Sequence, residues 1–316
     1  MRVLITGGYG FLGGRMAKFL SEITGYEVKL GVSNSILKSS PLLNLDSIHT
    51  NWNSDESIRS ACLGVDIIIH MSGMDADSCL IDPIKAFDVN AVRTRKLLSL
   101  AIDCGVSQFI YFSTVHVYGS PLSGLINEKT DTRSFHPYAT SNLAGEGEVL
   151  MQTKNGNING IVLRLSNSYG APISPNANCW KLLVNDLCKQ AATAKKMKLT
   201  SSGLQRRDFI TINDVCRATE HLMRLKFERY DHEKRIFNLG GSWAPQVLQM
   251  AQIIQKRCKE MLGYIPDLSK LEAQENEKPY SLNFSIDKLK STNFELKNDI
   301  DGEIDRLLIY CKNIFP

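Results

Sequence analysis

The sequence predicts an α/β fold, a doubly wound parallel sheet with a smaller discontinuous C-terminal substrate lobe. Three observations carry this. Short strands that are apolar throughout alternate with helical segments, the pattern of a parallel sheet covered on both faces. A glycine-rich turn follows the first strand directly. The rhythm then changes after about Asn167, where Pro172 and Pro175 interrupt it. Taken in order, Arg2 to Thr6 is a β-branched strand, Gly7 to Gly14 a tight turn, and Arg15 to Ser21 a helix with apolar Met16, Ala17, Phe19 and Leu20. Strand Glu27–Val32, helix Ser54–Cys62, strand Val65–His70 and the long helix Ile84–Cys104 follow. Strand Gln108–Ser113, helix Tyr138–Thr153 and strand Gly160–Leu165 complete the first half. Beyond it, a helix is expected over Trp180–Lys196, and two segments, Arg207–Val215 and Arg235–Leu239, are expected to return to the sheet. The expected division is 1–167 plus about 205–240 for the doubly wound part, and about 168–204 plus 241–316 for the smaller lobe.

Composition narrows the class. The chain has 316 residues, 43% hydrophobic and 22% charged, ordinary for a globular protein and unlike a disordered or fibrous one. Its net charge of +4 is spread without a long run of one sign, which argues against a nucleic-acid partner. The eight cysteines show neither a C-x-x-C pair nor zinc spacing, so they read as reduced thiols. No apolar run reaches the ~18–20 residues that a bilayer requires. The N-terminus opens into a strand rather than a signal peptide, and a cytoplasmic location without membrane insertion is the expectation.

Gly7-x-x-Gly10-x-x-Gly13 carries the chemistry. Without side chains, such a turn lets backbone N–H groups approach a pyrophosphate at the N-terminus of the following helix. Following a strand and opening a helix, it has the context a dinucleotide site demands. The acid that would hold the ribose 2′-hydroxyl of NAD is missing from the second strand: Val32 stands there, followed by Ser33, Asn34 and Lys38. Neutral and basic groups suit a 2′-phosphate, so NADP is preferred over NAD.

Further along stand Asp66 to His70 with Ser72, Asn90 in Phe87-Asp88-Val89-Asn90, and Phe112-Ser113-Thr114-Val115-His116-Val117-Tyr118-Gly119. Pro137-Tyr138, Arg164-Leu165-Ser166-Asn167-Ser168-Tyr169-Gly170, Arg207-Asp208-Phe209-Ile210 and Phe237-Asn238-Leu239-Gly240-Gly241 follow. With Thr6-Gly7-Gly8-Tyr9-Gly10-Phe11-Leu12-Gly13, these motifs resemble the extended short-chain dehydrogenase/reductases, in particular the nucleotide-sugar epimerase and dehydratase branch, over nearly the whole chain. The resemblance implies a Rossmann-like domain and a nucleoside-diphosphate sugar as substrate. It assigns cofactor contacts to Gly7, Gly10, Phe11, Leu12, Gly13, Ser33, Asn34 and Lys38, and further to Asn51, Trp52, Ser72, Asn90 and Asn142. Substrate contacts fall to Ser113, Thr114, Tyr138, Asn167 and Arg207. Tyr138 is implied as the acid/base and Thr114 as the hydroxyl that orients the substrate oxygen. Hydride leaves an alcohol carbon readily only as the hydroxyl proton departs, so base and nicotinamide must face one carbon.

The departure lies four residues after the tyrosine, where the family carries lysine and this chain Asn142. An asparagine can keep a hydrogen bond but supplies no charge to lower the tyrosine pKa. Three readings stay open: a slowed enzyme, an enzyme that borrows another cation, and a nucleotide-binding protein without catalysis. Val115 and His116 stand where the dehydratases carry their additional acidic pair, which favours epimerisation through a 4-keto sugar, or simple oxidation and reduction, over elimination. His116 reads as a strand-end residue or a proton carrier. Arg206 is expected to face solvent, and Lys278 and Arg257 are weighed as a second phosphate-binding cation. Family members also dimerise through the two long helices, so a homodimer is a further implication.

Overall fold

The computed structural model describes residues 1–33, 44–227, 233–277 and 280–315. Contacts divide the chain into two compact units: residues 1–120, 128–165 and 219–238 form the first, residues 121–127, 166–218 and 239–316 the second. Residues 205–218, expected with the nucleotide-binding part, therefore lie in the second unit.

The first unit is built on a seven-stranded parallel sheet ordered β11-β7-β5-β4-β1-β2-β3. Its strands are β1 (Arg2–Thr6), β2 (Glu27–Val32), β3 (Asp46–His49), β4 (Ile67–His70), β5 (Gln108–Thr114), β7 (Asn159–Leu165) and β11 (Ile236–Leu239). The central strands are buried on both faces, and Val3, Ile5, Ile68, Ile69 and Ile110 are inaccessible. That is why they read as continuous apolar runs. Helices α1 (Phe11–Ser21), α2 (Asp55–Cys62), α3 (Ala76–Ile81), α4 (Pro83–Phe87), α5 (Arg93–Asp103) and α6 (Pro137–Lys154) connect them.

Two features escaped the sequence reading. Edge strand β3 is short and half-buried, without an apolar alternation to mark it. The expected continuous helix over 84–104 is interrupted by a π-turn, Asp88–Val92, between α4 and α5. Such insertions widen one helical turn and recur beside functional sites. At the start of α6, Pro137 occupies the first turn and His136 caps it, its Nδ1 accepting the Tyr138 N–H at 3.1 Å. Proline there loses no hydrogen bond and presets the helical φ.

The second unit contains α7 (Leu183–Ala194), α9 (Val247–Leu262) and α11 (Ile300–Ile314) around a core that includes Leu187, Met250, Ile254 and Leu308. The helix expected from Trp180 begins at Leu183 and stops at Ala194, with Lys195 left-handed at φ 52°. Paired short strands complete it: β6 (Gly124–Ile126) with β13 (Leu282–Phe284), β8 (Asn167–Tyr169) with β10 (Phe209–Thr211), and β9 (Lys196–Lys198) with β12 (Asp267–Ser269). Thus 207–215 does not return to the main sheet: only Phe209–Thr211 is strand, it pairs with β8, and α8 (Ile212–Arg224) starts at once. An apolar triplet does not record its partner, whereas the expected return of 235–239 is β11 at the sheet edge. All eight cysteines are free. No described helix is long and apolar enough to cross a membrane.

Candidate active site

The glycine turn joins β1 to α1. Gly7 is left-handed at φ 70°, and a Cβ there would sit 3.1 Å from the Met71–Ser72 peptide. At Gly13 a Cβ would lie 2.2 Å from the Gly7 carbonyl, so the first turn of α1 can close on the loop only with glycine. Gly10 caps α1 without a side-chain bond, which leaves the first N–H groups of the helix for another partner. Beside this turn is a cavity of about 250 Å³ whose walls include Gly7, Gly10, Val32, Ser33, Trp52 and Ser72. A side-chain-free cradle, open helix N–H groups and an adjoining cavity fit a dinucleotide.

Not all expected contacts share that cavity. Phe11 is buried, and Gly13 acts through packing on Gly7. Leu12 is half-buried in the first turn of α1 and, like Phe11, is outside the cavity wall. Asn51 is turned to its own loop, its Oδ1 accepting the Asn53 N–H at 3.0 Å. Asn90, in the π-turn, is spent internally: Oδ1 accepts the Met74 N–H at 2.9 Å and Nδ2 donates to Ser141 Oγ at 3.0 Å. It shapes the loop after β4. Asn34, Lys38 and Lys278 lie outside the described residues. Gly31 and Thr50, cavity residues that the motifs do not mark, were missed.

Thr114 ends β5, and Tyr138 stands in the first turn of α6. The Thr114 side chain acts on the Tyr138 hydroxyl, and the Thr114 oxygen accepts the His116 N–H at 3.2 Å. The His116 ring meets Tyr138 edge-on, centroids 5.9 Å apart. Burial raises the Tyr138 pKa above its ordinary 10.0, the Thr114 bond lowers it, and the charges of Cys79 and Asp75 raise it again. Asn142, one turn later, is held inward. Its Nδ2 donates to the Tyr138 carbonyl at 2.7 Å, and its Oδ1 accepts the Tyr111 hydroxyl at 3.2 Å. The amide is thereby occupied on the interior side of α6.

Ser113, expected at the substrate, instead donates to Glu146 Oε1 at 2.5 Å. Glu146 pairs with Arg164 on β7 (Nη2 to Oε2, 2.6 Å), and Arg164 donates to Tyr118, whose hydroxyl bonds Asn238 at 2.6 Å. This fully buried network fixes α6 against β5 and β7. The spacing Tyr138, Asn142, Glu146 places all three on one helix face, a sequence signal for Glu146 that went unused.

In the second unit, Asn167 donates from Nδ2 to the Asp208 carbonyl at 2.9 Å, and Arg207 is exposed. No carboxylate pairs with Arg207 among the described residues. Arg206, expected in solvent, is half-buried and donates to the Ala244 carbonyl at 2.8 Å. Arg257 is consumed by Asp305 and Glu260 and offers nothing to a phosphate.

A doubly wound sheet with a glycine cradle at the β1–α1 turn defines a protein of the Rossmann-like α/β class. Residues 3–240 match the model of the NAD dependent epimerase/dehydratase family, and the chain belongs to that family. It is 26% identical to UDP-glucose 4-epimerase of Streptococcus mutans over 278 residues, covering 81% of each chain. With dTDP-glucose 4,6-dehydratase of Streptomyces niveus it shares 24% identity, covering 84% of this chain and 81% of that one. Among solved structures, UDP-glucose 4-epimerase of Thermus thermophilus in complex with NAD superimposes at a TM-score of 0.81 with 21% identity, over 99% of this chain and 100% of that one.

Proposed function

We propose that this chain is an NAD(P)-dependent nucleotide-sugar oxidoreductase, an epimerase acting through a 4-keto sugar. The observation that carries the proposal is the placing of Thr114 at the end of β5 beside Tyr138 in the first turn of α6, with His116 bonded to the one and edge-on to the other. Thr114 orients the sugar hydroxyl, its rotamer fixed by the His116 N–H. Tyr138 takes and returns the hydroxyl proton. Gly7, Gly10 and the first N–H groups of α1 hold the pyrophosphate, while Ser33, Trp52 and Ser72 flank the adenosine half. When bound, the nicotinamide supplies the hydride acceptor and donor. Asn167 and Arg207 bind the diphosphate of the substrate. NADP is preferred, because Val32 and Ser33 place no carboxylate against a 2′-phosphate.

The location is cytoplasmic and the assembly a homodimer. Supporting the dimer, Ile81, Ile84 and Phe87 on α3 and α4 are 85%, 86% and 52% exposed, and Met151 on α6 is 45% exposed. Such a run of large apolar side chains calls for a cover. The role of the product in surface-polysaccharide or deoxysugar synthesis belongs to the same proposal.

A second reading, a nucleotide-binding protein without catalysis, is favoured by Asn142, whose amide is held by Tyr111 and the Tyr138 carbonyl. One experiment separates the two: mass spectrometry of small molecules released on denaturation, then incubation with a panel of nucleotide sugars. Bound dinucleotide with isomerised sugar establishes the epimerase. Bound dinucleotide with no conversion, even with external NAD(P)H, establishes the noncatalytic protein.

A further inference from the structure

His70, at the end of β4, is 2% exposed and belongs to neither the cavity wall nor the Thr–Tyr pair. Its ring nevertheless bonds on both sides. Nδ1 is 2.7 Å from Thr6 Oγ1, and Thr6 Oγ1 also accepts the Ser72 N–H at 3.3 Å. On the other side, Nε2 is 3.1 Å from Thr94 Oγ1, whose hydrogen goes to the Asn90 carbonyl at 2.8 Å. That carbonyl faces the Tyr111 hydroxyl at 3.2 Å, and the same hydroxyl reaches Asn142.

Assigning the Thr94 hydrogen to the Asn90 carbonyl makes Nε2 the donor and Nδ1 the acceptor, with the Thr6 hydroxyl pointing at it. The Trp52 ring meets His70 edge-on at 6.1 Å, and Tyr111 stacks on it at 5.9 Å. Burial lowers the His70 pKa to about 3, which agrees with a permanently neutral ring.

We infer that His70 is a positioning residue that sets the nucleotide cradle and the turn beneath the acid/base helix on one rigid hydrogen-bonded frame. The inference rests on the dinucleotide reading of the cavity. Through Thr6, His70 clamps the C-terminal ends of β1 and β4, and with them Gly7 against the Met71–Ser72 peptide. Through Thr94 and Asn90 it holds the π-turn on which Tyr111, and so Asn142, rests.

The test uses ADP-ribose as probe, titrated calorimetrically against the full chain, with imidazole ¹⁵N NMR of His70. His70→Phe keeps the aromatic packing and loses both bonds, and affinity is expected to fall about tenfold. His70→Asn keeps an acceptor toward Thr6 and is expected to bind within about threefold of the parent. The parent spectrum should show the Nε2–H tautomer. Parent-like affinity in His70→Phe overturns the inference while leaving the dinucleotide reading intact. Failure of the parent to bind ADP-ribose removes that reading instead. Should His70→Phe not fold, the spectrum decides, and an Nδ1–H tautomer overturns the frame.

Discussion

Asn142→Lys restores a charge one helical turn from the acid/base, and Coulomb's law gives the size of the effect. Tyr138 is raised above 10.0 by burial, and among the influences acting on it only the Thr114 hydrogen bond lowers the value. At pH 8, fewer than about one molecule in a hundred carries the phenolate. An ammonium about 5 Å away, at an effective dielectric of ~20, contributes about 3 kcal/mol, or roughly 2 pKa units. The rising limb of kcat/KM against pH should move down by that amount, with up to about a hundredfold gain at neutral pH. The substitution also removes the bonds from Tyr111 and to the Tyr138 carbonyl, at about 1–3 kcal/mol of stability. Absorbance at 295 nm, taken as the difference between a protein and its Tyr138→Phe variant, reports the ionisation without turnover. If both the ionisation and the rate profile stay where they are in the parent, Tyr138 is not electrostatically coupled to position 142 and the reasoning is refuted.

Tyr138→Phe should lower turnover of a converted nucleotide sugar by more than about a hundredfold, with melting temperature little changed; a loss within tenfold would reject Tyr138 as the acid/base. Gly13→Ala should weaken ADP-ribose binding at least tenfold, because its Cβ would meet the Gly7 carbonyl at 2.2 Å; calorimetry checks this, and unchanged affinity counts against the cradle. Glu146→Gln should cost about 3–5 kcal/mol in urea unfolding, since it leaves Arg164 buried without its carboxylate. Calorimetric titration should give tighter binding of NADP than of NAD, and the reverse order would overturn the assignment drawn from Val32 and Ser33.

The sheet of the first unit was legible because each central strand is buried on both faces and therefore written as an unbroken apolar run, as in Val3–Ile5 and Ile67–Ile69. The cradle was legible because Gly7 and Gly13 answer to backbone sterics that no other residue meets. Strand β3 was not, since a half-buried edge strand carries no such signature. Nor was the pairing of Phe209–Thr211, because three apolar residues do not say which strand they join. At the site, motif positions nominate Thr114 and Tyr138 but do not give the direction of a polar side chain. Asn90, Asn142 and Ser113 all sit where expected in sequence, yet their polar atoms point to Met74, Tyr111 and Glu146. Those choices depend on neighbours brought from distant segments, which spacing does not encode.

The π-turn at Asp88–Val92 has a consequence for how this region tolerates change. A π-turn holds one residue more than an α-turn, so losing a residue there would restore regular winding and leave α5 in register, whereas losing one from α5 itself would rotate everything beyond it by about 100° about the helix axis. In the first case Leu97, Leu98 and Ala101 would stay sealed in the core while the Asn90 carbonyl left the Thr94 and Tyr111 hydroxyls; in the second, core residues beyond the cut would swing toward water. The π-turn is therefore the one stretch of this helical run where a residue can be lost without unwinding the core: single-residue deletions across 88–92 should leave a folded chain with a disturbed Asn90, while the same deletion within 93–103 should behave as an unfolding lesion.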